Sequence, residues 1–105
     1  MTLARDERGE AQAELLEQAR FYEREHAGLG FDFLDAVDAA IDSIDRFPDA
    51  WRPYPGWDRA PILRVKQVLG FPVGIVYFVD GLRLVIVAYA HHQRDAAYWR
   101  ARIAD

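Results

Sequence analysis

Hydrophobic positions along the chain change period once, near the middle. From Glu10 to His26 they fall at Ala11, Leu15, Ala19, Tyr22 and His26, with Leu16 widening the stripe. Steps of three and four predict one face of an α-helix. Gly28 stands where a left-handed cap would end it. Phe31 to Arg46 repeats the pattern with Leu34, Val37, Ile41 and Ile44, flanked by Phe33 and Ala40. Phe47-Pro48 stops it, because a residue before proline is biased out of the α region. Two helices joined around Gly28-Leu29-Gly30 predict an antiparallel hairpin with one shared apolar face.

After an aperiodic connection, Asp49 to Ala60, the pattern shortens to strands. Trp51 and Trp57 in that connection are expected to fold back over the core. Ile62 to Leu69 alternates, with Leu63, Val65, Gln67 and Leu69 on one face and Ile62, Arg64, Lys66 and Val68 on the other. The Leu63/Val65 face is the one expected to pack on the helices. Val73 to Val79 follows, and Asp80-Gly81 predicts a two-residue hairpin turn with positive φ at both positions. Leu82 to Ala90 is the most apolar run and reads as a strand buried on both faces. Asp95 to Ala104 predicts a short C-terminal helix capped by Asp95. The class is therefore α+β: an N-terminal antiparallel helical hairpin packed on an antiparallel sheet of three strands, or four with an N-terminal edge strand, then a short C-terminal helix.

Composition narrows the rest. With 105 residues, 51% hydrophobic and 13% aromatic, a single packed domain spanning 1–105 is expected. The absence of cysteine removes disulfides, thiolate zinc sites and cysteine nucleophiles. Met1 to Glu10 is charged, without the apolar stretch of a leader, and Leu84 to Ala90 is too short to cross a bilayer. A cytoplasmic protein without a membrane partner is the expectation. Net charge is −4, unevenly spread: residues 1–50 hold 13 acids and 5 bases, residues 51–105 hold 4 acids and 8 bases. Such asymmetry suggests an anion-facing second half without requiring one.

Candidate chemistry concentrates in that half. Arg64, Lys66 and Arg83 lie on strands, and His91, His92, Arg94 and Tyr98 follow the end of the last one. Cleavage of RNA through its 2′-hydroxyl needs a base, a cation for the charged phosphorane and an acid. His91 or His92 could serve as base or acid, with Tyr98 as another acid. Taken singly, each also reads as an ordinary strand-face charge, a hydrogen-bonded strand-end residue or a packing aromatic. The row Asp35, Asp38, Asp42, Asp45 reads first as a solvated helix face. The adjacent histidines point to opposite faces of a strand and lack further ligands, so no metal or other cofactor is expected.

Several short motifs, in order, resemble the RelE/ParE superfamily of toxins. These are Phe21-Tyr22-Glu23, Gly28-Leu29-Gly30, Phe33-Leu34-Asp35-Ala36-Val37, Ile44 and Pro48, then Arg64, Phe71-Pro72, Ile75-Val76-Tyr77, Ala90-His91, Arg94-Asp95 and Tyr98-Trp99. The resemblance spans roughly Ala11 to Arg102. It implies the toxin of a type II toxin–antitoxin pair, of the kind tied to plasmid stabilization and growth inhibition, bound by a cognate antitoxin in a hetero-oligomer. The long hairpin and Gly-Leu-Gly junction resemble the ParE branch, which acts by binding DNA gyrase. The RelE branch instead implies a ribosome-associated mRNA endonuclease. Arg64, His91 and Arg94 then fall on the branch's catalytic positions. A binding-only member is the third possibility. The superfamily normally opens with a strand, whereas Met1 to Arg8 here is short and charged, which leaves that edge strand open.

Overall fold

The computed structural model describes residues 3–95 and 97–103. It contains β1 (Ala4–Glu7), α1 (Gly9–Glu25), α2 (Leu29–Arg46), β2 (Arg64–Gln67), β3 (Val73–Asp80) and β4 (Arg83–His91), with a 3₁₀ turn at Arg100–Arg102. The sheet order is β1-β4-β3-β2. The edge strand left open by the sequence is therefore present, and it runs parallel to β4, pairing Ala4 with Arg83 through Glu7 with Ile86. Of its side chains Ala4 and Arg5 are exposed at the edge, while Asp6 and Glu7 are half-buried, Asp6 paired with Arg83 and Glu7 accepting the Tyr89 hydroxyl. Its pairing is made by the backbone, which hydropathy does not report. Leu3 N–H, just before it, is held by Asp45 of α2 at 2.9 Å.

Both helices pack on one face of the sheet. Ala11, Ala19, Phe33, Val37, Ala40, Ile41 and Ile44 are buried there against Ile75, Tyr77, Leu84, Ile86 and Tyr89. Of the stripe read from the sequence, Ala11, Ala19, Val37, Ile41 and Ile44 are buried and Leu15, Tyr22 and Leu34 half-buried, while Leu16 stands exposed on α1 and His26 beyond its end. The helices approach closely at Gly30, where a Cβ would lie 2.6 Å from the Ala19 carbonyl oxygen. Glu23 closes the junction by accepting Gly28 N–H (2.9 Å) and Gly30 N–H (3.0 Å). Asp35, Asp38 and Asp42 stand exposed on the outer face of α2. Among the described residues no group of three or more acids or histidines is placed to hold a metal ion.

The other face of the sheet is also apolar, which reverses one expectation. Leu63 is buried with Val76, Phe78, Val85, Val87, Ala88 and Trp99, and Val65 packs against them. Arg64 and Lys66 point instead to the helix side: Arg64 pairs across from Tyr77, and Lys66 Nζ lies 3.9 Å from the Trp51 ring centroid. Alternation separates two faces but does not say which one a helix covers. Here the 49–60 connection supplies a second cover, with Tyr54 and Trp57 against Trp99. Trp51 packs on the helix-side core, so the two loop tryptophans serve opposite faces.

The β3–β4 turn differs by one residue from the expected Asp80-Gly81. Asp80 pairs with Arg83, so the loop is Gly81-Leu82, and only Gly81 has positive φ, at 62°. A two-residue turn with glycine first meets the strand twist with one left-handed position. Further along, β4 carries a bulge: Val76 pairs with Ala88 but Tyr77 pairs with Ile86, leaving Val87 extra. Ile86 and Tyr89 therefore face the helices together although three positions apart. Past the bulge, Tyr89 and His91 belong to the helix side and Ala90 to the outer side. The expected C-terminal helix is only the Arg100–Arg102 turn, and Asp95 contributes its carbonyl oxygen to Tyr98 N–H (3.3 Å) rather than a side-chain cap. Ala96 and Ala104 of that expectation lie outside the described residues.

Candidate functional site

Beyond Glu7 the outer edge of β4 has no strand partner, and α1 and the C-terminal turn satisfy it instead. Glu14 accepts Tyr89 N–H (3.1 Å), while Gln18 Nε2 donates to the Tyr89 carbonyl (2.8 Å) and Arg102 Nη1 to that of Val87 (3.2 Å). Glu14 also receives the Tyr98 hydroxyl and both Arg102 nitrogens, at 2.8 and 3.2 Å. The ion pair is nearly enclosed, its side chains 13% and 15% exposed for Glu14 and Arg102. Removing the carboxylate strands a guanidinium, a hydroxyl and an amide. Glu14→Ala is therefore expected to cost about 3 kcal/mol in urea unfolding, and Glu14→Gln, which keeps an acceptor, about half of that. Equal stability of all three chains would show the clasp to be dispensable.

The clasp fixes Tyr98, and Tyr98 carries Arg94, whose guanidinium lies 3.8 Å from the ring centroid. Arg94 thus stands at the edge of a cleft of about 370 Å³ on the sheet face away from the helices. Its floor is Val65, Gly74, Val76 and Ala90, and its rim holds Arg52, Gln67, His91, His92, Arg94 and Asp95. His91 forms a ridge between this cleft and a recess of about 200 Å³ beside Glu14, Gln18 and Tyr89.

The hydrogen bonds assign the imidazole tautomers. Gln93 N–H donates to His91 Nδ1 (3.1 Å), so the neutral ring carries its proton on Nε2. His92 Nε2–H donates to Gln67 Oε1 (2.6 Å). His92 is further anchored through its backbone N–H to the Pro72 carbonyl (2.9 Å). The Tyr98 hydroxyl is turned to Glu14. Burial, then the hydrogen bond to Glu14, pushes its pKa above the ordinary phenol range, which suits a structural proton rather than one to be given away.

Of the catalytic candidates, His91 and Arg94 share the cleft and Arg64 does not line it. The Arg64 guanidinium donates to the Trp51 carbonyl at 2.9 Å on the helix side of β2. Arg52, Tyr54 and Gln67 were not legible as site residues. The first two sit in the aperiodic connection, and Gln67 reads as one polar step in an alternating strand. The short antiparallel contact between Pro53 and Arg64, and the Tyr54 hydroxyl accepting Ala97 N–H at 3.2 Å, bring that connection beside the cleft.

The family model of the ParE toxin of the type II toxin–antitoxin system, parDE, matches residues 8–96. No curated protein sequence matches the chain. Among solved structures, a chain from "Chromosomal ParDE TA system from P. aeruginosa" superposes with a TM-score of 0.67. It is 13% identical, and the superposition covers 86% of this chain and 96% of that one, a likeness of fold.

Proposed function

The chain belongs to the ParE toxin family of type II toxin–antitoxin systems, and on that premise we propose that it arrests bacterial growth by binding DNA gyrase in the cytoplasm, without chemistry of its own. The observation that carries this reading is the division of the catalytic candidates. Cleavage would require Arg64, His91 and Arg94 to meet at one phosphate, and Arg64 is engaged with Trp51 away from the cleft that holds the other two. No helix of the described residues is long and apolar enough to cross a membrane.

Neutralisation would come from a cognate antitoxin in a hetero-oligomer, docked on apolar groups that the folded chain leaves exposed. Leu69 at the β2–β3 turn is 89% exposed and Phe31 at the start of α2 is 70% exposed. A groove of about 500 Å³ between α2 and that turn is lined by Ala36, Ala39, Val68, Leu69 and Phe71. Small residues on the helix and an edge strand opposite suit a polypeptide segment.

Inducing the chain alone in a bacterium tests the function. DNA synthesis is expected to fall before RNA and protein synthesis, with an SOS response, and the purified chain to inhibit supercoiling by gyrase. An earlier fall in translation, with mRNA cleavage lost in Arg64→Ala and His91→Ala, would replace this reading by the endonuclease one. Normal growth with abundant folded chain would leave a binding-only member.

A further inference from the structure

The outer cleft has a composition that gyrase binding alone does not require. Its floor is apolar and low, because Gly74 and Ala90 are paired across β3 and β4. A Cβ at Gly74 would come within 2.9 Å of Val65 Cγ2 and begin to fill it. The rim carries two exposed arginines, Arg52 and Arg94, and two imidazoles, against one carboxylate, Asp95. A volume of about 370 Å³ lies in the range of sites for small planar ligands. On the same side of the sheet, Arg59 lies 4.4 Å from the Trp57 ring centroid and borders a second recess with Arg100 and one carboxylate, Asp58. Both helices, with most of the acids, lie on the opposite side. An approaching polyanion is therefore drawn to this face despite the negative net charge.

Cations spaced around aromatic and small apolar surface match a strand whose bases are unpaired: phosphates take the arginines, and a base lies on the floor. A duplex cannot present a base this way without opening. We propose that the outer sheet face binds single-stranded DNA, one base resting on the Gly74–Ala90 floor and the flanking phosphates meeting Arg52 and Arg94. The choice of DNA over RNA rests on the gyrase reading. The phosphate and base contacts do not.

The test is fluorescence anisotropy of the whole chain with a labelled oligothymidylate of about twelve nucleotides, a length within single-strand site sizes. Saturable binding is expected, and two phosphate contacts give a slope of about −1.4 in log affinity against log salt. Arg52→Glu and Arg94→Glu, both at exposed positions, should each weaken binding at least about tenfold. Ala90→Leu, which fills the floor without changing charge, should weaken it as well. Arg20→Glu, across the molecule, should not, and circular dichroism checks that each variant is folded. No binding at low salt, or equal losses from Arg20→Glu, overturns the site. An oligouridylate of the same length bound more than about tenfold tighter overturns the assignment to DNA, since that discrimination would come from 2′-hydroxyl contacts. Supercoiling inhibition is measured separately, so a chain that binds DNA but spares gyrase would defeat the gyrase reading and keep the site.

Discussion

Above about pH 10 the folded chain is expected to lose stability at about 4 kcal/mol per pH unit, since each of three tyrosines contributes about 1.4 kcal/mol per unit. The three are Tyr77, Tyr89 and Tyr98, each with a pKa held well above the ordinary phenol range, chiefly by burial. Burial raises Tyr22 as well, but by less, so it adds to the slope only just above pH 10. Tyr77 donates its hydroxyl to the Pro48 carbonyl at 2.8 Å, while Tyr89 and Tyr98 donate to the carboxylates of Glu7 and Glu14, which raise their pKa values further. The sign follows from proton counting. Below about pH 10 both states keep their phenol protons and the contribution is whole; above it the unfolded chain releases them and the folded chain does not. Urea midpoints should therefore be level up to that pH and fall steeply beyond it. Tyrosinate absorbance from these residues should appear together with unfolding, not before it. Tyr77→Phe should reduce the slope by about one third. Free titration of all three phenols in a chain that stays folded would refute this account.

Trp99→Ala is expected to remove about 3–5 kcal/mol, a large share of the stability of a domain this size. Trp99 is fully buried at the centre of the outer cluster, meeting Tyr54 edge-on at 4.9 Å and Trp57 at 5.8 Å between ring centroids. Its loss opens a cavity over Val76, Val85 and Val87 and frees the loop that carries Arg52. Trp99→Phe should recover much of the loss, and Phe31→Ala, at an exposed position, should cost little. Chemical unfolding read by circular dichroism distinguishes these. A loss below about 1 kcal/mol for Trp99→Ala would mean that the outer cluster is a loose cover and not a second core.

Local pattern determined the elements and their class. The three- and four-residue steps through Leu34, Val37, Ile41 and Ile44, the stop at Phe47-Pro48, and the unbroken run from Leu84 to Val87 depend on near neighbours, so they were legible in the chain itself. The motif order from Phe21-Tyr22-Glu23 to Tyr98-Trp99 likewise identified the superfamily. What remained was decided between distant segments. The β1 strand exists because charged residues can lend their backbone to β4. Whether Arg64 or Val65 faces the helices depends on what covers the far face, and that cover, Tyr54, Trp57 and Trp99, comes from parts of the chain without period. The extra residue Val87 shifts every later side chain on β4 to the opposite face, which places His91 on the ridge and Ala90 on the cleft floor. A bulge has no signature in hydropathy when both faces are apolar. The elements follow from residues near in sequence, while the candidate site follows from which faces meet in space, a choice made only by packing.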